Sequence, residues 1–254
     1  MPSLANATPM LIGVGVGPGD PQLVTLKAVE VLRAADVVLV PVTDTGNVDG
    51  GRAEQIVLAV CPEAAGRLQR VPFSMAQRSG VGTKRRESWQ ASADAATAAF
   101  AGGAACVAFA TVGDPSVYST FSYLAAEVRA SVPGLVVELV PGITAMQALA
   151  AAAKVPLVEG QEALTLVPVT AGLDAVATAL DSSDTVVAYK GGRRLAALLA
   201  LIRERRPDAV GVMGTDVGLP GQRLQRLSEI DAEAAPYFST ILVAPARPLT
   251  GGRL

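Results

Sequence analysis

Histidine is absent from the 254 residues. That removes the Ser-His-Asp and Cys-His nucleophile systems, the usual zinc and haem ligations and the commonest general base. Chemistry on this chain has to come from carboxylates, Tyr, Lys, Arg, backbone amides or a bound cofactor, and no metal site is expected. Aromatic residues are scarce, at 4%, so a core must be assembled from small aliphatic side chains, which suits α/β layers better than a sandwich. The two cysteines, Cys61 and Cys106, have no CxxC spacing and read as structural thiols of a reducing compartment. No stretch reaches about 18 uninterrupted apolar residues, and the opening segment lacks the basic and apolar regions of a secretory signal, so a cytoplasmic protein with no membrane span is expected. Charge of either sign is in no excess: 21 Lys and Arg against 23 Asp and Glu give a net charge of −2. Basic residues are scattered, which argues against a nucleic-acid footprint.

What the sequence does have is apolar bulk, 50% of its residues, with 45 alanines. The length suits two α/β domains, and the pattern divides them near residue 140, into 1–140 and 141–254. In the first, short apolar runs at 10–16, 37–40, 68–71, 104–110 and 135–140 predict strands, the second ended by Pro41. Helices are expected at 21–34, with Asp20 as cap and Pro21 at its first position, and at 52–60, 84–100 and 117–129. Strands alternating with helices predict a doubly wound parallel sheet. In the second, a small-residue helix at 145–153 precedes strands at 164–167, 185–189, 210–213, 224–227 and 240–243, with helices at 173–180 and 195–205. The short link between the last two strands, containing Pro236, predicts an antiparallel element in a mixed sheet.

Three glycine or proline turns follow strand ends. The first is Gly13-Val-Gly15-Val-Gly17-Pro18-Gly19-Asp20. Counted as a dinucleotide fingerprint from Gly13, it places Pro18 on the third glycine, and proline donates no amide to a pyrophosphate. The glycines still allow a ligand close to the backbone at the carboxyl ends of a sheet. The second is Thr111-Val-Gly113-Asp114-Pro115-Ser116-Val117-Tyr118-Ser119-Thr120, where Asp114 reads either as the cap of the following helix or as a carboxylate aimed into a crevice. The third is Val140-Pro141-Gly142-Ile143-Thr144. Together they would line one crevice with amides and hydroxyls, without a phosphate cradle.

With these motifs in this order, the chain resembles the tetrapyrrole methylase family, S-adenosylmethionine-dependent enzymes of corrin and sirohaem synthesis. The resemblance rests on GVGPGDPQLVTLKA at 15–28, TVGDPSVYSTFSYL at 111–124 and VPGITAMQALAAAAKVPLVEG at 140–160. Segments EALTLVPV at 162–169, VVAYKGGRRL at 186–195, DVGLPGQRL at 216–224 and APYFSTILV at 235–243 resemble most the members that act on precorrin-2 at carbon 20. Ala188-Tyr189 departs from the small hydrophobic residue followed by Met or Leu that usually precedes the lysine, here Lys190.

The resemblance implies two α/β domains with the active site in the cleft between them, a homodimer, S-adenosylmethionine as cofactor with S-adenosylhomocysteine as product, and precorrin-2 as substrate. It places the cofactor against Pro18, Gly113, Asp114, Val117, Tyr118, Thr144, Ala145, Tyr189, Met213, Gly214 and Thr215. A sulfonium methyl is already activated, so no protein nucleophile is needed and positioning with exclusion of water suffices. A carboxylate near the ring would stabilise charge developing on its nitrogens, and a base would take the meso proton. Asp114 is the first candidate, with Lys190 and Tyr237 behind it. The substrate's carboxylates need cations, for which Arg52, Arg85 and Arg86 are candidates, with a solvated helix start as the alternative for the last two.

Overall fold

A computed structural model describes residues 8–43, 50–73, 83–191, 194–230 and 239–247. The chain splits into two compact units, Met1–Thr144 and Ala145–Leu254.

The first unit alternates strand and helix: β1 Met10–Gly15, α1 Leu26–Ala34, β2 Val37–Thr43, α2 Arg52–Val60, β3 Leu68–Phe73, α3 Thr83–Ala101, β4 Cys106–Thr111, α4 Phe121–Ser131 and β5 Val136–Val140. The strands form one parallel sheet in the order β3-β2-β4-β1-β5. Alternation along the strands assigns the two faces. Ile12, Val14, Val38, Val40, Ala108 and Ala110 pack with α1 and α2, while Leu11, Leu39, Val107 and Phe109 pack with α3 and α4. Each large side chain buried this way stabilises by about 1.5–3 kcal/mol. Gly13 belongs to this packing: a Cβ there would stand 2.6 Å from the Phe121 ring.

Three local expectations are corrected. The helix of 21–34 breaks in two: a 3-10 turn at Pro21–Leu23 is capped by Asp20, which accepts the Gln22 amide at 2.8 Å, and α1 starts afresh behind Thr25, whose hydroxyl accepts the Ala28 amide at 3.2 Å. Two capping side chains five residues apart each start a helix, and Val24 between them is extended. Strand β2 continues through Pro41 to Thr43, because its pairing with β4 ends at Leu39 while pairing with β3 runs on from Val38 to Thr43. Beyond Leu39 the ladder is one-sided, where a residue without an N–H is tolerated. The helix after Gly113 begins at Phe121, not 117, so Asp114 does not cap it. Asp114 to Val117 is instead a turn closed by the Val117 amide on the Asp114 carbonyl at 3.2 Å, and Tyr118, at φ 50°, breaks helical continuation.

The second unit holds α5 Ala145–Ala153, β6 Leu164–Pro168, α6 Leu173–Ser182, β7 Thr185–Tyr189, α7 Leu195–Arg205, β8 Val210–Thr215, β9 Arg223–Arg226 and β10 Ser239–Ala244. Its sheet runs β6-β7-β10-β8-β9, parallel only between β6 and β7 and antiparallel at every other pairing. The mixed sheet expected from the sequence is present, but its last two strands, β9 and β10, do not pair with each other: β8 lies between them and is antiparallel to both. Val186, Ala188, Met213, Ile241 and Val243 face α6 and α7. Gly214, one residue on from Met213, meets Leu149 of α5 on the opposite side, where a Cβ would come within 2.6 Å of that side chain. No helix among the described residues is long and apolar enough to cross a membrane.

Candidate active site

In a parallel sheet all strands end at the same edge, so the loops after β1 to β5 gather there. Strands β1 and β4 are neighbours, yet the helices that follow them, α1 and α4, pack on opposite faces. This is a topological switch point, the position at which open α/β sheets bind ligands. The backbone is unusually tight there. Gly113 donates its amide to the Gly17 carbonyl at 2.7 Å, and Val16 donates to the Thr111 carbonyl at 2.9 Å. A Cβ on Gly15 would lie 2.6 Å from the Gly142 nitrogen, and one on Gly142 would lie 2.1 Å from the Gly113 oxygen. The three turns noted in the sequence therefore interlock backbone to backbone. Gly113 itself has φ +77°, and a Cβ there would meet only the Thr144 Cα, at 4.0 Å, so this glycine, though buried, has unfilled room beside its backbone.

Asp114 is 8% exposed. One carboxylate oxygen accepts the Ser116 amide at 2.7 Å and also the Ser116 hydroxyl, while the other accepts the Gly142 amide at 2.9 Å. Burial works against its charge, but the Ser116 hydroxyl and the Gly142 and Ser116 amides outweigh it and hold the carboxyl below the ordinary aspartate range. Asp followed by Pro and Ser is the sequence signature of this side-chain turn, so Ser116 was readable as a partner. The Gly142 contact comes from a segment 28 residues away, and local sequence carries no sign of it.

Pro18 is buried beside the glycine bridge. Thr144 is 7% exposed. Val117 is half-buried and Tyr118 is 43% exposed, its phenol pushed up by burial. A non-glycine residue at φ 50° is uncommon and concentrates at functional sites. Arg52 opens α2, after β2, and Arg86 lies exposed in the first turn of α3, after β3. Parallel topology thus puts both at the edge that carries the glycine turns. The backbone of Arg85 lies in the same helix, but its side chain is outside the described residues.

In the second unit, Tyr189 ends β7 and its hydroxyl accepts the Met146 amide at 2.9 Å, satisfying one of the free N–H groups at the start of α5, beside Ala145. Lys190 follows at φ 61° and Asp216, after β8, at φ 49°. Strand β10 lies between β7 and β8 and pairs Thr240 with both Tyr189 and Gly214, so Tyr189 and Met213 to Thr215 reach one end of this sheet. The Met213 side chain is 4% exposed in the core under α6 and α7, which leaves only its backbone for a ligand. Thr215 is 6% exposed, with its hydroxyl 3.1 Å from that of Ser239. Tyr237 lies outside the described residues. Among the described residues no group of three His, Cys, Asp or Glu side chains is arranged to hold a metal ion.

Comparison with known proteins agrees with this geometry. The sequence pattern that defines the tetrapyrrole (corrin/porphyrin) methylases matches residues 10–231. A cobalt-precorrin-2 C(20)-methyltransferase of Salmonella typhimurium is 32% identical over 235 residues, spanning 92% of this chain and 95% of the relative. A precorrin-2 C(20)-methyltransferase of Sinorhizobium is 35% identical over 239 residues, spanning 92% and 94%. Among solved structures, a uroporphyrin-III C-methyl transferase from Thermus thermophilus, complexed with S-adenyl homocysteine, superposes with a TM-score of 0.64 at 23% identity, over 92% of this chain and 97% of that one. A sheet whose central turns interlock through glycine, matched along most of its length by this pattern, makes the chain a member of the tetrapyrrole methylases.

Proposed function

We propose that the protein transfers a methyl group from S-adenosylmethionine to carbon 20 of precorrin-2, giving precorrin-3A in cobalamin biosynthesis. The observation that carries this reading is the near-complete mutual coverage, at 32% and 35% identity, with two relatives named for methylation at carbon 20. The unfilled room beside Gly113 next to Thr144 suits a flat, largely apolar cofactor group that must approach bare backbone, and the Pro18 turn offers no cradle for a pyrophosphate.

When bound, S-adenosylmethionine supplies a methyl already activated by the sulfonium charge. The chain therefore has to orient and to exclude water rather than to provide a nucleophile, consistent with the absence of histidine. In this reading Pro18, Gly113, Val117, Tyr118 and Thr144 of the first unit, and Ala145, Tyr189 and the backbone of Met213 to Thr215 in the second, hold the cofactor. Arg52 and Arg86 pair with the macrocycle's carboxylates. Lys190, fixed in the left-handed region directly after β7, orients the substrate. We further propose that the protein works as a cytoplasmic homodimer, with the chain divided functionally near residue 140.

One relative is named for the cobalt-loaded substrate and the other for the metal-free one, so cobalt-precorrin-2 is the second reading. Following S-adenosylhomocysteine release with each substrate tests both. Release that depends on precorrin-2 supports the proposal, release only with the cobalt form favours the second reading, and release with neither contradicts both.

A further inference from the structure

We propose that Asp114 is a positioning residue: its carboxylate locks the turn after β4 to the turn after β5, and so sets cofactor affinity without touching the reacting atoms. The inference rests on the reading of this edge as the cofactor site. Three donors converge on the side chain. The Ser116 amide and hydroxyl fix the Asp114–Val117 turn, and the Gly142 amide ties that turn to the strand end two places across the sheet, past β1. Gly142 is also the residue whose Cα and nitrogen press on Gly15. The carboxylate is thus a side-chain bridge between two of the three interlocked turns, which backbone contacts also join. Both oxygens are engaged and the side chain is buried. Its ionised form is favoured, which makes it a poor proton acceptor near neutral pH, where a general base needs a pKa close to the working value.

Residues on either side of this brace are the ones whose geometry it controls. Gly113, with unfilled room beside it, precedes Asp114. Tyr118, at φ 50°, follows the turn, and Thr144 lies two residues beyond Gly142. If the brace fails, fewer molecules present the three segments together, and apparent affinity falls by that fraction. Asp114→Asn keeps the shape and one acceptor oxygen but turns an amide N–H toward either the Gly142 or the Ser116 N–H, so in both orientations donor faces donor.

The experiment compares wild type and Asp114→Asn by calorimetry with S-adenosylhomocysteine, by single-turnover methylation of precorrin-2 at saturating S-adenosylmethionine, and by melting. The dissociation constant is expected to rise roughly ten- to hundredfold, the range for losing a charge-assisted hydrogen bond, while the single-turnover rate constant at saturation falls less than threefold. An unchanged dissociation constant with a rate reduced by roughly two to four orders of magnitude would make Asp114 a catalytic carboxylate and overturn the proposal. Unchanged affinity and rate with only a lower melting temperature would overturn it too, leaving a purely structural brace. If the Asn variant does not fold, Ser116→Ala removes one of the three bonds. A several-fold weaker affinity at unchanged saturated rate supports the proposal, and wild-type affinity contradicts it. Wild-type protein that binds no S-adenosylhomocysteine would remove the cofactor reading itself, a result distinct from any behaviour of the variants.

Discussion

Replacing Gly142 by alanine should open the knot at the sheet edge. The added Cβ would stand 2.1 Å from the Gly113 oxygen, 2.8 Å from the Gly15 Cα and 2.9 Å from the Gly15 carbonyl carbon. Ordinary Cβ contacts lie at 3.4–4 Å, so the Gly113 oxygen must yield by more than 1 Å and the two Gly15 atoms by at least about half as much, and all three are backbone with no rotamer to change. Overpacking of this kind costs about 1–3 kcal/mol. The required movement also pulls the Gly142 amide from Asp114, at 2.9 Å in the native chain, and a lost hydrogen bond to a charged group adds about 1.5–3 kcal/mol. The two together come to about 2.5–6 kcal/mol, a fall of about 5–24 °C in melting temperature at roughly 2–4 °C per kcal/mol for a chain of this size. Gly66→Ala is the control, because nothing lies within 4 Å of a Cβ there; it should stay within about 0.5 kcal/mol of wild type. Urea titrations of both variants decide the matter. A Gly142→Ala protein within about 1 kcal/mol of wild type would refute the interlocked-turn account.

Three further expectations follow from neighbouring geometry. Gly113→Ala meets no steric obstacle but must hold a left-handed φ of +77°, so it should cost about 1–2 kcal/mol by conformation alone, measured by urea unfolding, and weaken S-adenosylhomocysteine binding in calorimetry. Tyr189→Phe leaves the Met146 amide without its 2.9 Å acceptor at the start of α5; a loss of about 0.5–1.5 kcal/mol is expected, and an unchanged urea midpoint would contradict it. Arg247→Ala removes the guanidinium that meets the 5% exposed Glu162 side chain at 2.6 Å, leaving the Glu159 amide on that carboxylate at 2.9 Å. Losing these charge-assisted bonds should cost about 1.5–3 kcal/mol, and a loss below about 0.5 kcal/mol would show that the clasp contributes little.

The alternation of elements was legible in the sequence because period and punctuation agreed: α2 and α7 run over 52–60 and 195–205 as the apolar pattern predicts. Failures arose where a local signal had two meanings. Asp114 followed by Pro115 is equally a helix cap and a side-chain turn, and the distant Gly142 amide selects the turn. Pro41 reads as a strand stop, yet one-sided pairing tolerates it. Gly13 looked like part of a ligand loop, whereas its missing Cβ admits Phe121. Pairing partners and close approaches between turns are long-range properties, and no window of residues carries them. Lys190 and Tyr237 are candidates that no local pattern singles out, and the latter lies outside the described residues.

The proposed reaction is methylation at one carbon of one macrocycle. Incubating the purified protein with precorrin-2 and S-adenosylmethionine carrying a carbon-13 methyl, followed by NMR of the isolated product, tests it most directly. A single labelled methyl on the carbon-20 meso position is the predicted result. A labelled methyl at any other position, or none, would contradict the account.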